Sequence, residues 1–522
     1  MISPMSYEKG GIVRLLHKSL RLILYISIIG EMVFFPSLAN FAGCVMSLIV
    51  WVIFSKFFLK ERIMLEHPFS FFVFLSIFLA RYIPLPATLV EGKPITYGFQ
   101  NPLETFFYET IMFIVVSLAY YSVICKRRRH NNQLQRILYK FNFFQADSRT
   151  LWGLGLIGLM ARIQNLASAG TVEYGDTGGK FLDGFLYLQY APLIMLFPTL
   201  SGIAYSKSRN RFVWYYAVFM FILSFAANSR QQMIYPIFTI VLLFFLYVLK
   251  DKISIYRFFS PAKIVALFVV LVFGLSFLSD LSVAMLANRT IRNDIGRMEL
   301  LNKTIETMKD DEMMAKLRNI SIESSGSIVS YRNGWDEAYL DNFMLNRYGN
   351  MRVVDQTIYY ADIIGFDNPK MKESFYNRII TIFPTPFASV LGFNIDKNSL
   401  VYSPGDMLYW VATSAHAALG GFRVTSLVGD GLATFGYWSF LIVYVLLYLS
   451  FKLIDSLVYL KKGDILFSTL GLINVFGFLG MFRNSIGIIV PLAYIMRGFW
   501  QQCFMFWIIV FILKMLPKFK KD

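Results

Sequence analysis

The chain has 522 residues, of which 56% are hydrophobic, 17% aromatic and 16% charged. Soluble domains have a charged fraction of about a quarter, so this composition excludes an ordinary soluble enzyme and favours a membrane protein. The net charge of +17 is spread over short basic clusters between apolar runs, which argues against a nucleic-acid-binding face. The three cysteines, Cys44, Cys125 and Cys503, lie in or beside apolar runs and predict neither a disulfide framework nor a metal cluster.

Apolar runs recur along the chain at the length that a bilayer requires, which is about 20 residues per helix. The first run follows a basic stretch and has no small-residue cleavage pattern after it, so we interpret it as a signal-anchor and not as a removable signal peptide. The last run, 484–516, is longer than one span and predicts either a re-entrant segment followed by one span, or a hairpin. The basic tail favours the first option and a total of about 12 spans. The other predicted spans are 20–35, 38–58, 69–85, 106–125, 150–168, 184–205, 212–228, 233–249, 262–284, 436–454 and 465–482.

The basic clusters set the predicted orientation, because Lys and Arg are retained on the cytoplasmic side of a membrane. Alternating sides from a cytoplasmic N-terminus places all of these clusters inside and both termini in the cytoplasm. The longest segment then lies outside, and it divides the chain into three parts. Residues 1–285 hold about nine spans, residues 286–434 form a large outer loop with helical stretches such as 295–318, and residues 435–522 hold the last spans.

The sequence contains none of the motifs that bind metals or nucleotides. It has no H-E-x-x-H, no Cys/His pattern with zinc spacing, no Asp-rich magnesium motif and no Walker loop. A G-x-S-x-G nucleophile elbow is also absent. We therefore expect no cofactor and no metal.

Three arginines stand at membrane depth or at the outer ends of predicted spans. Arg230 follows a span in Asn228-Ser-Arg230, and Arg483 follows another in Phe482-Arg-Asn-Ser485. Arg162 lies inside the predicted span 150–168. An arginine in the bilayer costs about 2.5–3.5 kcal/mol on insertion scales, so it usually has a partner or a function. Arg230 and Arg483 can bind a diphosphate through forked hydrogen bonds, or they can be interface anchors that snorkel to water.

The outer loop contributes two further candidates for chemistry. His416 can act as a general base or a hydrogen-bond donor, although a lone histidine is more often structural. Asp430 stands just before a predicted span, where a carboxylate either caps the helix or binds a sugar hydroxyl. Cations that could hold substrate elsewhere in the loop are Arg347, Arg352 and Arg423.

The layout resembles the bacterial O-antigen and capsule repeat-unit polymerases, the Wzy-type proteins related to the O-antigen ligases. The segment 426–436, Ser-Leu-Val-Gly-Asp-Gly-Leu-Ala-Thr-Phe-Gly, is similar to the family's small-Gly-acid-apolar-Phe-Gly pattern, with Asp430 in place of the more usual Glu. Asn228-Ser-Arg230 and Phe482-Arg-Asn-Ser485 resemble its arginine-bearing segments, although the glycines that commonly flank the first are missing. The Arg-x(10)-Gly signature of some members is absent from the outer loop, and we regard the spacing of Arg81 and Gly92 as a coincidence.

The resemblance implies an all-α, GT-C-like glycosyltransferase in the bacterial inner membrane. Such an enzyme transfers a growing glycan from undecaprenyl diphosphate to a new undecaprenyl-diphosphate-linked repeat unit at the periplasmic face. Arg230 and Arg483 would bind the diphosphate, and His416 or Asp430 would deprotonate the acceptor. Arg162, Arg347, Arg352 and Arg423 would contact substrate secondarily. The expected partners are the lipid-linked glycans, the bilayer, and a chain-length regulator and flippase of the same pathway. The alternatives are an O-antigen ligase-type transferase and a flippase or secondary transporter.

Overall fold

The computed structural model describes most of the chain between residues 11 and 515. The residues outside this description are 1–10, 126, 129, 168–183, 204–205, 227–229, 254–273, 275–276, 278–279, 282, 286, 289–296, 311, 317–329, 332–333, 384–391, 393–399, 483–485 and 516–522.

The first half of the described chain is a succession of helices. Proline stands at the first turn of α4, α5, α6 and α9, where its missing N–H costs no hydrogen bond. The helices are α1 Gly11–Phe34, α2 Leu38–Ile53 with a π-helical turn Phe54–Phe58, α3 Glu61–Glu66, α4 Pro68–Tyr82, α5 Pro84–Val90, α6 Pro102–Ile124, α7 Gln133–Lys140, α8 Ser148–Ala167, a 3-10 helix Leu186–Leu196, α9 Pro198–Ser201, α10 Lys207–Ala226 and α11 Arg230–Lys250.

The second half begins with shorter helices in the predicted outer loop. The helix predicted within 295–318 is present as α12. In the part of the chain that the structure describes, one hairpin of two antiparallel strands interrupts the helices after Asp455. The elements are α12 Arg297–Lys309, α13 Phe343–Gly349, α14 Arg352–Ile364, α15 Pro369–Ile382, α16 Pro404–Ala412, α17 Leu427–Phe435, α18 Trp438–Asp455, β1 Val458–Lys461, β2 Asp464–Phe467, α19 Thr469–Ile473, α20 Val475–Gly480, α21 Ile489–Ala493, a π-helical turn Tyr494–Gly498 and α22 Phe499–Met515.

The prediction of an all-helical membrane protein is confirmed in its coarse form. In the described part of the chain, five helical runs are long and apolar enough to cross a membrane, or six if the bent pair α4 and α5 is one span. The count of about twelve spans stays a prediction, and most of the predicted span 262–284 lies outside the described residues. The five runs are Leu38–Phe58, Pro102–Ile124, Gln232–Lys250, Trp438–Asp455 and Ile489–Met515.

Two predicted spans have a different structure. The run 184–205 is a 3-10 helix followed by the short helix α9, because Pro192 and Pro198 prevent a continuous α-helix. The run 465–482 begins as strand β2 and continues as α19 and α20, which have five and six residues. Eleven helical residues rise roughly 17 Å, about half of the hydrocarbon thickness. The final stretch is one helical run, Ile489–Met515, so the hairpin alternative is wrong.

One end of the helix bundle brings part of the predicted outer loop together with the segment that joins α5 to α6. Asp355 on α14 accepts hydrogen bonds from the backbone N–H of Gln100 (2.7 Å) and the hydroxyl of Thr105 (2.8 Å). Glu91 accepts a bond from the N–H of Asp341 (2.7 Å). We call this end, formed by residues 83–101, 334–368 and 427–437, the loop face.

The opposite end collects the basic segments that we predicted to be cytoplasmic. Asp455, at the end of α18, pairs with Arg128 and lies 2.7 Å from Nδ1 of His67. The helix α6 runs from the loop face to this end over 23 residues, which is roughly 34 Å. The described segments therefore form two opposite ends of the bundle, and the side of the membrane on which each end lies stays a prediction. We call this end, formed by residues 60–67, 127–135, 199–202, 250–253 and 455–469, the basic face.

Candidate functional site

Asp430 connects two segments that the sequence analysis singled out separately. Its carboxylate Oδ2 accepts a hydrogen bond from the backbone N–H of Ile488 at 2.8 Å. Gly487 permits this approach, because a Cβ there would lie 2.6 Å from the same oxygen. Residues 486–488 directly follow the motif that carries Arg483 in the sequence, so this bond joins the acidic motif to the residues next to that motif.

Asp430 does not cap a helix, which was the alternative role considered for it. Ser426 occupies the N-cap of α17, and its hydroxyl accepts a bond from the N–H of Gly429 at 2.8 Å. Asp430 stands one turn further on and is 3% exposed. Burial raises the pKa of the Asp430 carboxyl to about 6, and the hydrogen bond from Ile488 and the charge of Arg378 oppose this rise.

Arg378 is the described cation that acts on Asp430, and the sequence analysis did not single it out. It lies on α15, donates to the carbonyl of Tyr402 at 2.5 Å and places its guanidinium 4.7 Å from the centre of the Tyr402 ring. Its Nε is buried and has no hydrogen-bond partner among the residues that the structure describes. Burial lowers the pKa of Arg378, and Tyr402, Asp430 and Asp406 oppose that shift. Part of its hydrogen-bonding capacity therefore remains for an anion.

Beside this group lies a cavity of about 340 Å³ between the end of α15 and the last helical run. Its walls include Ile382, Phe482 and Tyr494, and Arg497 closes one side by donating to the carbonyl of Ile382 at 3.1 Å. The π-helical turn Tyr494–Gly498 widens the last helix here. The lining of the cavity is mainly apolar, which suits an apolar part of a ligand.

Arg423 serves mainly to fix the loop that follows α16. It donates to Oδ1 of Asp406 at 2.9 Å and lies 4.7 Å from the centre of the Tyr409 ring. The buried Asp406 also accepts the backbone N–H of Phe422 (2.8 Å), and such bonds lower its pKa against the effect of burial. Arg423 is thus held in an ion pair and is not brought into the group around Asp430.

His416 lies on the exposed part of the same loop. Its Nδ1 is 2.8 Å from the carbonyl oxygen of Thr413, one turn back along the chain. The described contacts do not bring His416 to Asp430. Of the two residues considered as the base, Asp430 is therefore the one that lies beside the arginine-bearing segment.

Arg352 occupies a fully buried position in the loop face. Its guanidinium lies 2.6 Å from Oδ2 of Asp336 in an ion pair and donates a hydrogen bond to the carbonyl of Ala338 at 2.5 Å. Gly98 packs directly on it, since a Cβ there would lie 2.7 Å from Nε. These contacts join the segment around residue 98 to the long loop, which is an architectural function. The side chain of Arg347, on α13, lies outside the described residues.

The side chains of Arg230 and Arg483 also lie outside the described residues, but the helices next to them are in contact. Arg230 is the first residue of α11. Five residues later, the Tyr235 ring meets the Phe476 ring of α20 edge-on at 4.8 Å. A Cβ at Gly477 would lie 2.8 Å from the Tyr235 hydroxyl, so glycine is needed for this close packing. The two arginine-bearing segments therefore belong to neighbouring elements.

Arg162 lies in the same group of helices. Its guanidinium is buried and donates to Oε1 of Gln189 (3.4 Å) and to the Ser224 hydroxyl (3.2 Å). The next residue after Gln189, Tyr190, stacks on Tyr235 at 4.3 Å. No carboxylate pairs with Arg162 among the residues that the structure describes. Arg162 is thus linked through two tyrosines to the helix that begins at Arg230.

The structure also reveals a buried ion pair, between Arg81 and Glu109, that we did not predict from the sequence. Arg81 Nε lies 2.7 Å from Oε2 of Glu109, and both side chains are fully buried between α4 and α6. The sequence did carry a signal for this pair, because Arg81 and Glu109 have opposite charges and lie inside two neighbouring apolar runs. By contrast, Arg378 acts on a carboxyl 52 positions away, and no local pattern announced that contact.

In the described part of the chain, no three His, Cys, Asp or Glu side chains lie close enough together to hold a metal ion. Metal independence itself stays a prediction. Comparisons with protein-family models, with curated proteins and with solved structures gave no match.

Proposed function

We propose that this chain is a membrane glycosyltransferase that polymerises lipid-linked oligosaccharide repeat units on its loop face. The observation that carries the proposal is the hydrogen bond between Asp430 and Ile488, which joins the acidic motif to the segment that follows Arg483. These are the two motifs in which the sequence most resembles the repeat-unit polymerases. The contact between Tyr235 and Phe476 adds the helix that begins at Arg230 to the same neighbourhood.

The reaction needs charge stabilisation and one proton acceptor. A hydroxyl oxygen of the new repeat unit attacks the anomeric carbon of the growing glycan. The bond from that carbon to the diphosphate oxygen breaks, and undecaprenyl diphosphate leaves with the electron pair. Arg230 and Arg483 stabilise the charge of the leaving diphosphate, and Arg378 contributes from the side of Asp430. The hydroxyl proton passes to the Asp430 carboxylate, whose pKa of about 6 leaves it mostly ionised at neutral pH.

The lipid part of the substrate is accommodated by the apolar cavity of about 340 Å³ next to Phe482 and Tyr494. In this proposal the polyprenyl chain enters the cavity along the last helical run, with its diphosphate on the side of Phe482. The remaining parts of the proposal are about twelve spans, a GT-C-like architecture, and both termini in the cytoplasm of a bacterium. The chain-length regulator and the flippase of the same pathway are the proposed partners.

The lipid-linked glycan profile of cells that lack the protein tests this function. A polymerase defect leaves a single repeat unit on the final acceptor, and chains of two or more units are absent. An O-antigen ligase-type defect instead leaves long chains on the undecaprenyl carrier. A flippase or transporter defect retains single units on the cytoplasmic side of the inner membrane. Either of the last two profiles would refute the polymerase.

A further inference from the structure

A second cavity, of about 490 Å³, lies on the basic face, at the opposite end of the bundle from Asp430. Three lysines from three different elements line it. Lys250 is the last residue of α11, Lys461 ends β1, and Lys514 is in the last turn of α22. Two of these elements belong to the apolar runs Gln232–Lys250 and Ile489–Met515, so the cavity lies where two membrane helices reach the water interface.

Two of the three lysines contact uncharged groups, and the carboxylates that line the cavity offset only part of the positive charge. The Lys250 ammonium donates to the carbonyl of Thr199 at 3.1 Å and lies 5.4 Å from the Phe467 ring centre, and neither group carries a formal charge. Lys461 lies 5.5 Å from the Tyr139 ring centre, and its hydrogen bond to Tyr139 raises the lysine pKa. Among the described residues, neither lysine forms an ion pair.

Two carboxylates also line the cavity, and both are already engaged by backbone groups. Asp147 accepts the N–H of Thr150 at 2.8 Å at the start of α8. Asp464 accepts the N–H of Ile465 at 2.9 Å. The three lysines therefore outnumber the acids by one charge, and the acids use part of their hydrogen-bonding capacity elsewhere.

We infer that this cavity binds the phosphate headgroup of an anionic phospholipid from the leaflet on the basic face. Basic pockets between membrane helices on the cytoplasmic side are suited to such headgroups, because several ammonium groups meet one phosphate at the height of the lipid surface. Here the three lysines surround a space large enough for a headgroup, and they connect α11, the hairpin and the last helix. The bound lipid would hold these elements together, whatever reaction the loop face carries out.

Binding of phosphatidylglycerol to the purified protein in detergent, measured by native mass spectrometry, tests this site. The cavity variant replaces Lys250, Lys461 and Lys514 by Gln. The control variant replaces Lys56, Lys60 and Lys452 by Gln, and Lys452 is matched because it is in the last turn of an apolar helix and lies over the Tyr448 ring. We expect the apparent Kd to rise at least ~10-fold in the cavity variant and less than ~2-fold in the control. Phosphatidylcholine binding should be the same in both variants.

A gain-of-affinity variant controls for the case in which the cavity variant loses lipid binding only because it misfolds. Asp464→Asn removes a negative charge from the exposed hairpin and should tighten phosphatidylglycerol binding by about fivefold, which an unfolded protein cannot do. Inorganic phosphate at millimolar concentration should not displace the lipid. Equal losses in the cavity and control variants would overturn the site. Unchanged affinity in both the cavity variant and Asp464→Asn would also overturn it, as would displacement of the lipid by micromolar phosphate.

Discussion

Asp430 accepts a hydrogen bond from the backbone N–H of Ile488, 58 positions further along the chain. The carboxylate is almost fully buried, and Gly487 brings the backbone up against it. This bond is what unites the acidic motif of α17 with the segment that follows Arg483. Variants of Asp430 and of the residues around it can therefore distinguish a structural function of Asp430 from a chemical one.

Asp430→Asn should abolish polymerisation without unfolding the protein. The amide oxygen of Asn still accepts the Ile488 N–H, but the amide cannot take a proton. Because a general base contributes about 100- to 10,000-fold, we expect a loss in that range in glycan polymerisation by purified protein. Asp362→Asn, which changes an exposed carboxylate on α14, is the control. Near-normal activity of Asp430→Asn would leave Asp430 with the structural function alone.

The pH dependence of stability should also report on Asp430. Its pKa rises from an ordinary value of 3.8 to about 6 in the folded protein, so the folded state binds more protons than the unfolded state between these values. Stability should therefore be highest below about pH 4 on account of this group and fall as the pH rises to about 6. The difference is on the order of 3 kcal/mol. Thermal unfolding of Asp430→Asn should lack this component, and an unchanged profile would contradict the assignment.

Arg378→Gln should move the pH–rate profile to higher pH. The positive charge of Arg378 lowers the pKa of Asp430, so its removal favours the protonated acid. We expect the midpoint of the rising limb to increase, and Arg378→Lys to keep it nearer to that of the unmodified protein. Lys372→Gln, on the same helix but paired with Asp367, is the control. A midpoint that stays fixed in Arg378→Gln would show that another group titrates.

Arg230→Lys and Arg483→Lys should be nearly as harmful as the alanine variants if the two arginines bind a diphosphate. Lysine keeps the charge but loses the planar fork of donors. If the arginines are only interface anchors, lysine should substitute freely, because an ammonium snorkels as well. Glycan chain length in cells with matched membrane abundance distinguishes the two cases. Arg211→Lys, an exposed position near the start of α10, controls for the exchange itself.

The buried pair of Arg81 and Glu109 should behave as a structural unit. Removing one partner leaves an uncompensated buried charge, so Arg81→Met or Glu109→Gln alone should destabilise the protein by about 3–5 kcal/mol. The double variant should recover most of that loss. Thermal unfolding in detergent gives the comparison. Single variants as stable as the unmodified protein would mean that water or another group satisfies the remaining charge.

The sequence was most informative where one property decides the structure. Runs such as 38–58 and 106–125 were predicted correctly because their apolar length alone requires a membrane helix. The run 465–482 was predicted wrongly because its apolar composition concealed a hairpin. That hairpin turns at Lys462 and Gly463, which both have positive φ, and it pairs Lys461 with Asp464. The apolar composition of a run does not indicate a turn, because a turn depends on the backbone conformation of a few residues.

Only those residues of the candidate site that belong to local sequence motifs could be predicted. Asp430 was singled out by the residues around it, and its partner Ile488 follows another such motif. Arg378 was missed because it approaches Asp430 only through the packing of α15 and α17. Arg352 and Arg423 were singled out by their charge, and the structure places both in ion pairs with aspartates. A sequence records a charge but does not show which long-range partner neutralises it.

The most direct test of the account is a reconstituted reaction. Undecaprenyl-diphosphate-linked single repeat units, isolated from cells that lack the protein, are incubated with the purified protein in EDTA. The account predicts lipid-linked chains of increasing length and the release of one undecaprenyl diphosphate for each unit added. No chain growth in EDTA, with recovery on adding Mg²⁺ or Mn²⁺, would contradict the metal-free mechanism. No chain growth under either condition, from protein that is folded and binds the substrate, would contradict the polymerase itself.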